Sequence, residues 1–310
     1  MTHGHPEAPP WQVVAGVLSD DEQAQVLALN TKCANFDAVA PFSEHPLLNL
    51  NNDSGQINHL RVLSDIENPG DIVVIGYCQI DHTLNGASGE LAVDPRFRKR
   101  GVGAALLEAA ESVVAVPQFR VWAHGDLSAS RRFAIGHGYQ PIRELRLLAT
   151  PLPATPLPSP APPPGYTLRT FRPGHDDAAW VALNAAIFAD HPEQGRITVA
   201  DLKRRQSEPW FNAGEFFLLQ TESGQTIGYC WLKLATIETG EIYVIAVHSD
   251  HRRRGLATYL LTVAFAHLAA AGANEVMLYV EGDDAAALAT YHKLGFTQRA
   301  LDIQYAKVGS

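Results

Sequence analysis

Two stretches of this chain run through the same succession of apolar and polar positions. In the first, Glu90-Leu-Ala-Val93 reads as a strand, and the basic, glycine-punctuated phrase Arg98-Lys99-Arg100-Gly101-Val102-Gly103 follows. From Ala104 to about Val114 an alanine- and leucine-rich run predicts a helix. Phe119-Arg-Val-Trp122 predicts a strand, and a helix from about Ser128 ends at Gly138-Tyr139. The phrase returns 154 residues later as Arg252-Arg253-Arg254-Gly255-Leu256-Ala257, after the apolar run Glu241-Ile-Tyr-Val-Ile-Ala-Val247. A helix to about Ala271, a strand Glu275-Val-Met-Leu-Tyr-Val280 and a helix through Tyr291 that ends at Gly295-Phe296 complete the second copy. A repeated order of elements over such a span points to two copies of one α/β unit.

At 310 residues the chain is long enough for two cores. Between Pro151 and Pro164 eight of fourteen residues are proline, which suits an extended spacer and forbids a helix interior. The expected organisation is a flexible N-terminus at 1–10, a first domain at 11–149, a proline-rich linker at 150–164 and a second domain at 165–310. The formal net charge of -9 argues against a nucleic-acid surface, whereas the two arginine clusters suit a small anionic ligand. Cys33, Cys78 and Cys230 have neither CxxC spacing nor an even count, so neither a disulfide framework nor a metal is expected. Cys78 and Cys230 each follow Gly-Tyr, which marks them as repeat-equivalent strand positions. No signal-peptide pattern or membrane-length apolar run occurs, so the expectation is a cytoplasmic monomer without a membrane partner.

A strand, a tight basic turn and a helix start make an anion cradle: successive N–H groups point inward, and glycine lets a phosphate approach the backbone. Neither copy has the G-K-[ST] ending that a triphosphate and magnesium require. The pattern R-x-x-G-x-G/A resembles the pyrophosphate loop of the GNAT family of N-acetyltransferases. That resemblance implies an α/β (α+β) chain of two tandem GNAT-fold domains, each a mixed, mostly antiparallel sheet flanked by helices. It also implies acetyl-coenzyme A as cosubstrate, with a second molecule in the first domain as an option.

The two copies are chemically unequal. Aligned on their loops, Ala87 falls opposite Glu241, and aligned on their helix ends, Ala134 falls opposite Tyr291. The first domain therefore keeps a cradle without the chemistry, and its loop is either a nucleotide-sized site or a turn with nothing bound. Glu241 can accept a proton from an attacking ammonium, an easy task for an α-amino group of pKa about 7.7–8.0. Backbone N–H groups of Ile245-Ala246-Val247 can stabilise the oxyanion of acyl transfer. The family commonly places at Tyr291 a tyrosine that protonates the departing thiolate, so the resemblance implies direct transfer in a ternary complex, with Glu241 and Tyr291 catalytic.

Further phrases resemble a tandem branch of that family whose members acetylate the cysteinyl amine of cysteinyl-glucosaminyl-inositol. These are Ala40-Pro-Phe-Ser-Glu44, Val121-Trp-Ala-His-Gly125, Asn184 through His191-Pro-Glu-Gln-Gly195, Gly240-Glu-Ile-Tyr-Val244 and Leu278-Tyr-Val-Glu281. The resemblance implies acetyl-coenzyme A contacts at Leu91, Ala92, Val93, Lys99, Arg100, Gly101, Val102, Gly103 and Ala104 in the first domain. In the second it implies contacts at Ile245, Ala246, Val247, Arg252, Arg253, Arg254, Gly255, Leu256, Ala257 and Thr258, and at Asp284, Ala285, Ala286, Ala287, Leu288 and Ala289. The implied acceptor set is Glu44, Glu193, Lys233, Glu241 and Tyr279. Asp284 departs from the asparagine usual at that place: both residues cap helices, but a carboxylate near phosphates repels them. The competing readings are a tandem acetyltransferase for an aminoglycoside, a polyamine or a protein N-terminus, and a non-catalytic acyl-coenzyme A sensor.

Overall fold

The computed structural model describes residues 9–52, 55–65, 70, 72–83, 86–114, 119–153, 158–189, 194–234, 236 and 238–307. The chain divides into two compact units, residues 1–145 with 300–310, and residues 146–299. Each has a mixed sheet between helices, as the family resemblance implies.

The first unit contains β1 (Trp11–Ala15), α1 (Asp20–Asp37), α2 (Glu44–Leu48), β2 (Ile57–Ser64), β3 (Val73–Thr83), β4 (Gly86–Val93), α3 (Val102–Val113), β5 (Phe119–Ala123), α4 (Ser128–Gly136) and the start of β6 (Tyr139–Pro151). Helix α1 begins with a reciprocal capping box: Ser19 Oγ accepts from the Glu22 amide, and the Glu22 carboxylate accepts from the Ser19 amide. Such a cap is worth about 1 kcal/mol. Pairing is antiparallel along β1-β2-β3-β4, then parallel between β4 and β5. One face of the sheet buries Leu106, Leu107 and Ala110 of α3, while the other buries Val26, Leu29 and Cys33 of α1.

The second unit contains the end of β6, then β7 (Tyr166–Thr170), α5 (Asp177–Ile187), α6 (Val199–Gln206), β8 (Phe216–Thr221), β9 (Thr226–Leu234), β10 (Thr239–Val247), α7 (Leu256–Ala270), β11 (Glu275–Glu281), α8 (Ala285–Lys293) and the start of β12 (Thr297–Lys307). Its strand order is β6-β11-β10-β9-β8-β7, with β10 and β11 parallel. Leu260, Val263, Ala264 and Leu268 of α7 and Tyr291 of α8 pack on Cys230, Leu232, Ile242, Val276 and Leu278. The opposite face is aromatic: Trp231 stacks on Phe216 at 4.5 Å, and Trp180 meets Trp231 edge-on at 5.8 Å.

The units cross the expected boundaries at two places. Residues 146–149 belong to the second unit, and 300–310 to the first, where Ile303 to Ala306 pair antiparallel with Ala123 to Arg120. Ile303 and Tyr305 are buried in the first unit's core. Local composition marks the proline stretch but carries no signal of which sheet a strand completes. Among the described residues no helix is long and apolar enough to cross a membrane.

Candidate active site

The two basic loops have the same backbone. Lys99 and Arg253 both take φ 60°, and two residues later Gly101 at φ 86° and Gly255 at φ 75° are the left-handed N-caps of α3 and α7. A side chain at either glycine would be strained, and this turn aims the first free amides of the helix outward. In each loop the leading arginine closes the turn, with Arg98 Nε donating to Val93 O at 3.1 Å and Arg252 Nε to Val247 O at 3.3 Å. Arg98 is further held by a bidentate pair with Asp37, at 2.8 and 2.6 Å. Lys99 and Arg100 in one loop, and Arg253 and Arg254 in the other, stay exposed at the cradle. Arg254 Nη1 donates to Tyr166 Oη at 3.1 Å. These loops fit a pyrophosphate: exposed cations surround amides that no intrahelical partner uses.

Below each cradle a strand loses its parallel neighbour. The β10–β11 ladder runs from Thr239–Glu275 to Ile242–Leu278 and stops, while β10 stays paired with β9 up to Val247–Gly228. Just past Ile242, where β11 parts, β10 has a bulge between Ile242 and Val244. The His248 amide donates to Ile227 O at 2.8 Å, so by antiparallel alternation the amides of Ile245 and Val247 point away from β9, toward the side β11 has left. In the first unit the β4–β5 ladder stops at Glu90–Trp122, and the Asp94 amide bonds to Ile75 O at 2.9 Å, which turns Leu91 and Val93 the same way. The sequence-derived stretches 91–93 and 245–247 are therefore strand backbones with one edge unpaired among the described residues.

Glu241 on β10 and Tyr291 on α8 lie on opposite faces of the sheet. Glu241 is paired in register with Lys233 on β9 and Met277 on β11, facing away from the core that takes Ile242, Leu232 and Leu278. It is half-buried. Tyr279, two residues beyond Met277 and so on the same face, is 47% exposed and does not belong to the core. Lys233 lies over the rings of Trp210 and Tyr243. On the other face Tyr291 is buried on α8 against Phe296, and burial pushes its phenol above the ordinary value, with the Asp284 charge adding to this. A phenol so placed stays protonated at neutral pH and can give a proton away. Asp284 is the N-cap of α8, its Oδ1 accepting from the Ala287 amide at 2.9 Å. The segment Ala285 to Ala289 forms the first turns of that helix.

The bulge also changes how the repeats superpose. Gly76–Val93 and Gly228–Val247 are matching pairs, and Cys78 and Cys230 fall at the same place. Counting back through the extra residue of β10 sets Ser88, paired with Asp81, opposite Glu241, paired with Lys233. Ala87 lies one position off. The first unit still lacks a carboxylate at that point, but it has one nearby that linear reading missed. Glu90 is buried, with Ser43 donating from its amide at 2.7 Å and from Oγ at 2.6 Å. His124 Nε2 stands 3.2 Å from Glu90 Oε2, off the hydrogen-bond axis, and its Nδ1 stands 3.0 Å from Asp302 Oδ2. Burial disfavours the imidazolium, yet the Glu90 and Asp302 charges push its pKa to about 10. Burial likewise raises Glu90, but His124 and Ser43 hold it below its ordinary value. This carboxylate is already committed.

Of the remaining acceptor residues, Glu44 opens α2 in the first unit and is half-buried. Glu193 lies outside the described residues. The phrase around it is pinned where it resumes: Asn184 Nδ2 donates to Gln194 O at 2.6 Å, Gln194 Nε2 donates to Asn184 Oδ1 at 3.0 Å, and the Tyr229 hydroxyl donates to Asn184 Oδ1 at 2.6 Å.

Residues 180–296 match the profile of the acetyltransferase (GNAT) family, and residues 62–141 match that of an acetyltransferase (GNAT) domain. The chain is 41% identical to a mycothiol acetyltransferase of Thermomonospora curvata, over 93% of this chain and 94% of that one. It is 40% identical to one of Salinispora arenicola, over 94% of each. Among solved structures, a tandem GNAT protein from the clavulanic acid biosynthesis pathway aligns with a TM-score of 0.71 at 17% identity, covering 97% of this chain and 99% of that one. A GCN5-related N-acetyltransferase of Sphaerobacter thermophilus aligns with a TM-score of 0.69 at 23% identity, covering 95% of each. At those identities the two structures speak for the fold alone.

Proposed function

Because the chain belongs to the mycothiol acetyltransferase family, within the acetyltransferase (GNAT) family, we propose that its second unit transfers an acetyl group from acetyl-coenzyme A to the cysteinyl amine of cysteinyl-glucosaminyl-inositol. The observation that carries this reading is the parting of β10 from β11, with Glu241 on one face of the sheet and Tyr291 on the other. Arg253, Arg254 and the amides at the start of α7 hold the pyrophosphate, and the donor supplies the activated acetyl thioester. Glu241, directly or through water, takes a proton from the acceptor ammonium so that the amine can attack. The free amides of Ile245 and Val247 donate to the carbonyl oxygen as it gains charge. A C–N bond forms and the C–S bond breaks; Tyr291 gives its proton to the departing sulfur and recovers one from solvent, to which the attacking nitrogen loses its second proton. No covalent enzyme intermediate is needed.

Lys233 and Tyr279, on the same face as Glu241, serve the acceptor, the lysine by donating to hydroxyl or carbonyl oxygen and the tyrosine by offering a ring and a hydroxyl. Glu193 joins this set on the resemblance. The first unit's matching cradle takes a second acetyl-coenzyme A without turning it over, because Ser88 and Ala134 stand where the proton carriers would be.

Steady-state turnover with acetyl-coenzyme A and a panel of amines tests the assignment. A kcat/KM for cysteinyl-glucosaminyl-inositol well above that for polyamines, aminoglycosides and an N-terminal peptide supports it; a preference for any of those overturns it. Isothermal titration with acetyl-coenzyme A tests the first unit: two sites per chain are expected, and a single site reduces that unit to a scaffold.

A further inference from the structure

Lys233 is held by ring faces. Its Nζ lies 4.5 Å from the centroid of Trp210 and 5.6 Å from that of Tyr243. The two rings touch each other at 5.1 Å, and both lean on the fully buried Trp231, at 5.8 and 5.1 Å. Arg205 Nε donates to the Tyr243 hydroxyl at 2.8 Å, which fixes the rotation of that ring. Trp210 comes from the irregular segment between α6 and β8, where the Phe211 amide bonds to Glu208 O at 3.0 Å. The β10 bulge leaves Tyr243 as the extra residue, beside Val244 and within the aromatic cluster of Trp231. Residues directly opposite on neighbouring antiparallel strands have Cβ atoms about 4.5–5.5 Å apart, so Lys233 cannot be moved without changing what Glu241 faces.

We propose that Trp210 and Tyr243 are positioning residues for the acceptor: their ring faces fix the Lys233 ammonium beside Glu241, so the acceptor meets a cation and a carboxylate already in place. A lysine stem has four rotatable bonds and spans many positions in solvent; an ammonium lying over two ring faces is confined to far fewer. The arrangement suits an acceptor rich in hydroxyls and amide oxygen, to which the ammonium donates while Glu241 receives the amine. The inference rests on the reading of Lys233 and Glu241 given above.

A double-mutant cycle tests it, with KM for cysteinyl-glucosaminyl-inositol and for acetyl-coenzyme A measured separately. Trp210→Leu is expected to raise the acceptor KM about tenfold and to leave the acetyl-coenzyme A KM within about twofold. Trp210→Phe, which keeps a weaker ring face, falls between. In a Lys233→Met background, Trp210→Leu adds less than about a further twofold. If the loss from Trp210→Leu is as large without the lysine as with it, the ring is packing only and the proposal is overturned. An unchanged acceptor KM in Trp210→Leu overturns it as well. If Lys233→Met alone leaves the acceptor KM unchanged, the failure lies in the reading of Lys233, and the proposal falls with it. Should Trp210→Leu not fold, Tyr243→Leu completes the same cycle with the same criteria.

Discussion

Ser88 and Glu241 stand at the same register position of the two sheets, Ser88 paired with Asp81 on β3 and Glu241 with Lys233 on β9. One repeat thus offers a hydroxyl where the other offers a carboxylate. Glu241→Gln is expected to lower kcat/KM by about 10²- to 10⁴-fold at neutral pH, the usual worth of a general base. The deficit should shrink toward pH 9, because an α-amine of pKa about 7.7–8.0 loses its own proton there. Ser88→Ala should stay within about twofold of wild type. Initial rates from pH 6 to 9 for the three proteins check this; a deficit independent of pH would show that Glu241 does not act as the base.

Tyr291 yields a prediction of opposite sense. Its phenol is raised above the ordinary tyrosine value by burial, and the acid form is the working one, so rising pH should not remove activity through this group below about pH 10. Tyr291→Phe is expected to lower kcat by about 10²-fold or more while the acetyl-coenzyme A Kd changes less than about twofold. Titration of the variant alongside its kinetics separates the two effects. Wild-type kcat in Tyr291→Phe would remove the proposed acid.

Much of this architecture could be read from the chain because it is local. The strand–turn–helix phrases at 90–107 and 241–261 declare themselves by spacing, and the backbones of the two loops agree residue for residue at Lys99 and Arg253 and at Gly101 and Gly255. What failed to show is what depends on pairing. The bulge at Tyr243 adds one residue to β10 without any mark in its composition, so simple counting put Ala87 in place of Ser88. Asp302 and His124 meet because β12 pairs with β5, and Trp210 meets Lys233 because a turn folds over the sheet. Neither contact has a sequence period. The phrases Ala40–Glu44 and Val121–Gly125 did contain Ser43 and His124, but only the structure shows that both are spent on Glu90.

The His124 cluster makes the fold's pH dependence asymmetric. The folded pKa of about 10 lies above the unfolded value of about 6.5. The imidazolium therefore contributes its full stability below about pH 6.5 and loses it as pH rises through about 10. Glu90, whose pKa is depressed, contributes above its unfolded value of about 4.3 and loses that contribution as pH falls through the folded one. The unfolding-midpoint gap between wild type and His124→Gln should be widest near pH 5–6 and should narrow steadily to pH 10. A gap constant across that range would mean that His124 is buried neutral.

Asp284 separates a cap from a charge. Its Oδ1 receives the Ala287 amide, a bond that an asparagine side chain makes equally well, so Asp284→Asn should leave the thermal midpoint within about 1 °C. The variant removes one negative charge from the start of the helix whose first turns the family resemblance gives to the donor. If the coenzyme A phosphates come near it, acetyl-coenzyme A should bind Asp284→Asn about two- to fivefold more tightly at low salt, with the gain fading toward 0.5 M as exposed charges are screened. Titrations at three salt concentrations decide the matter. Equal affinity for the two proteins at low salt would leave Asp284 with the cap alone and place the phosphates away from the start of α8.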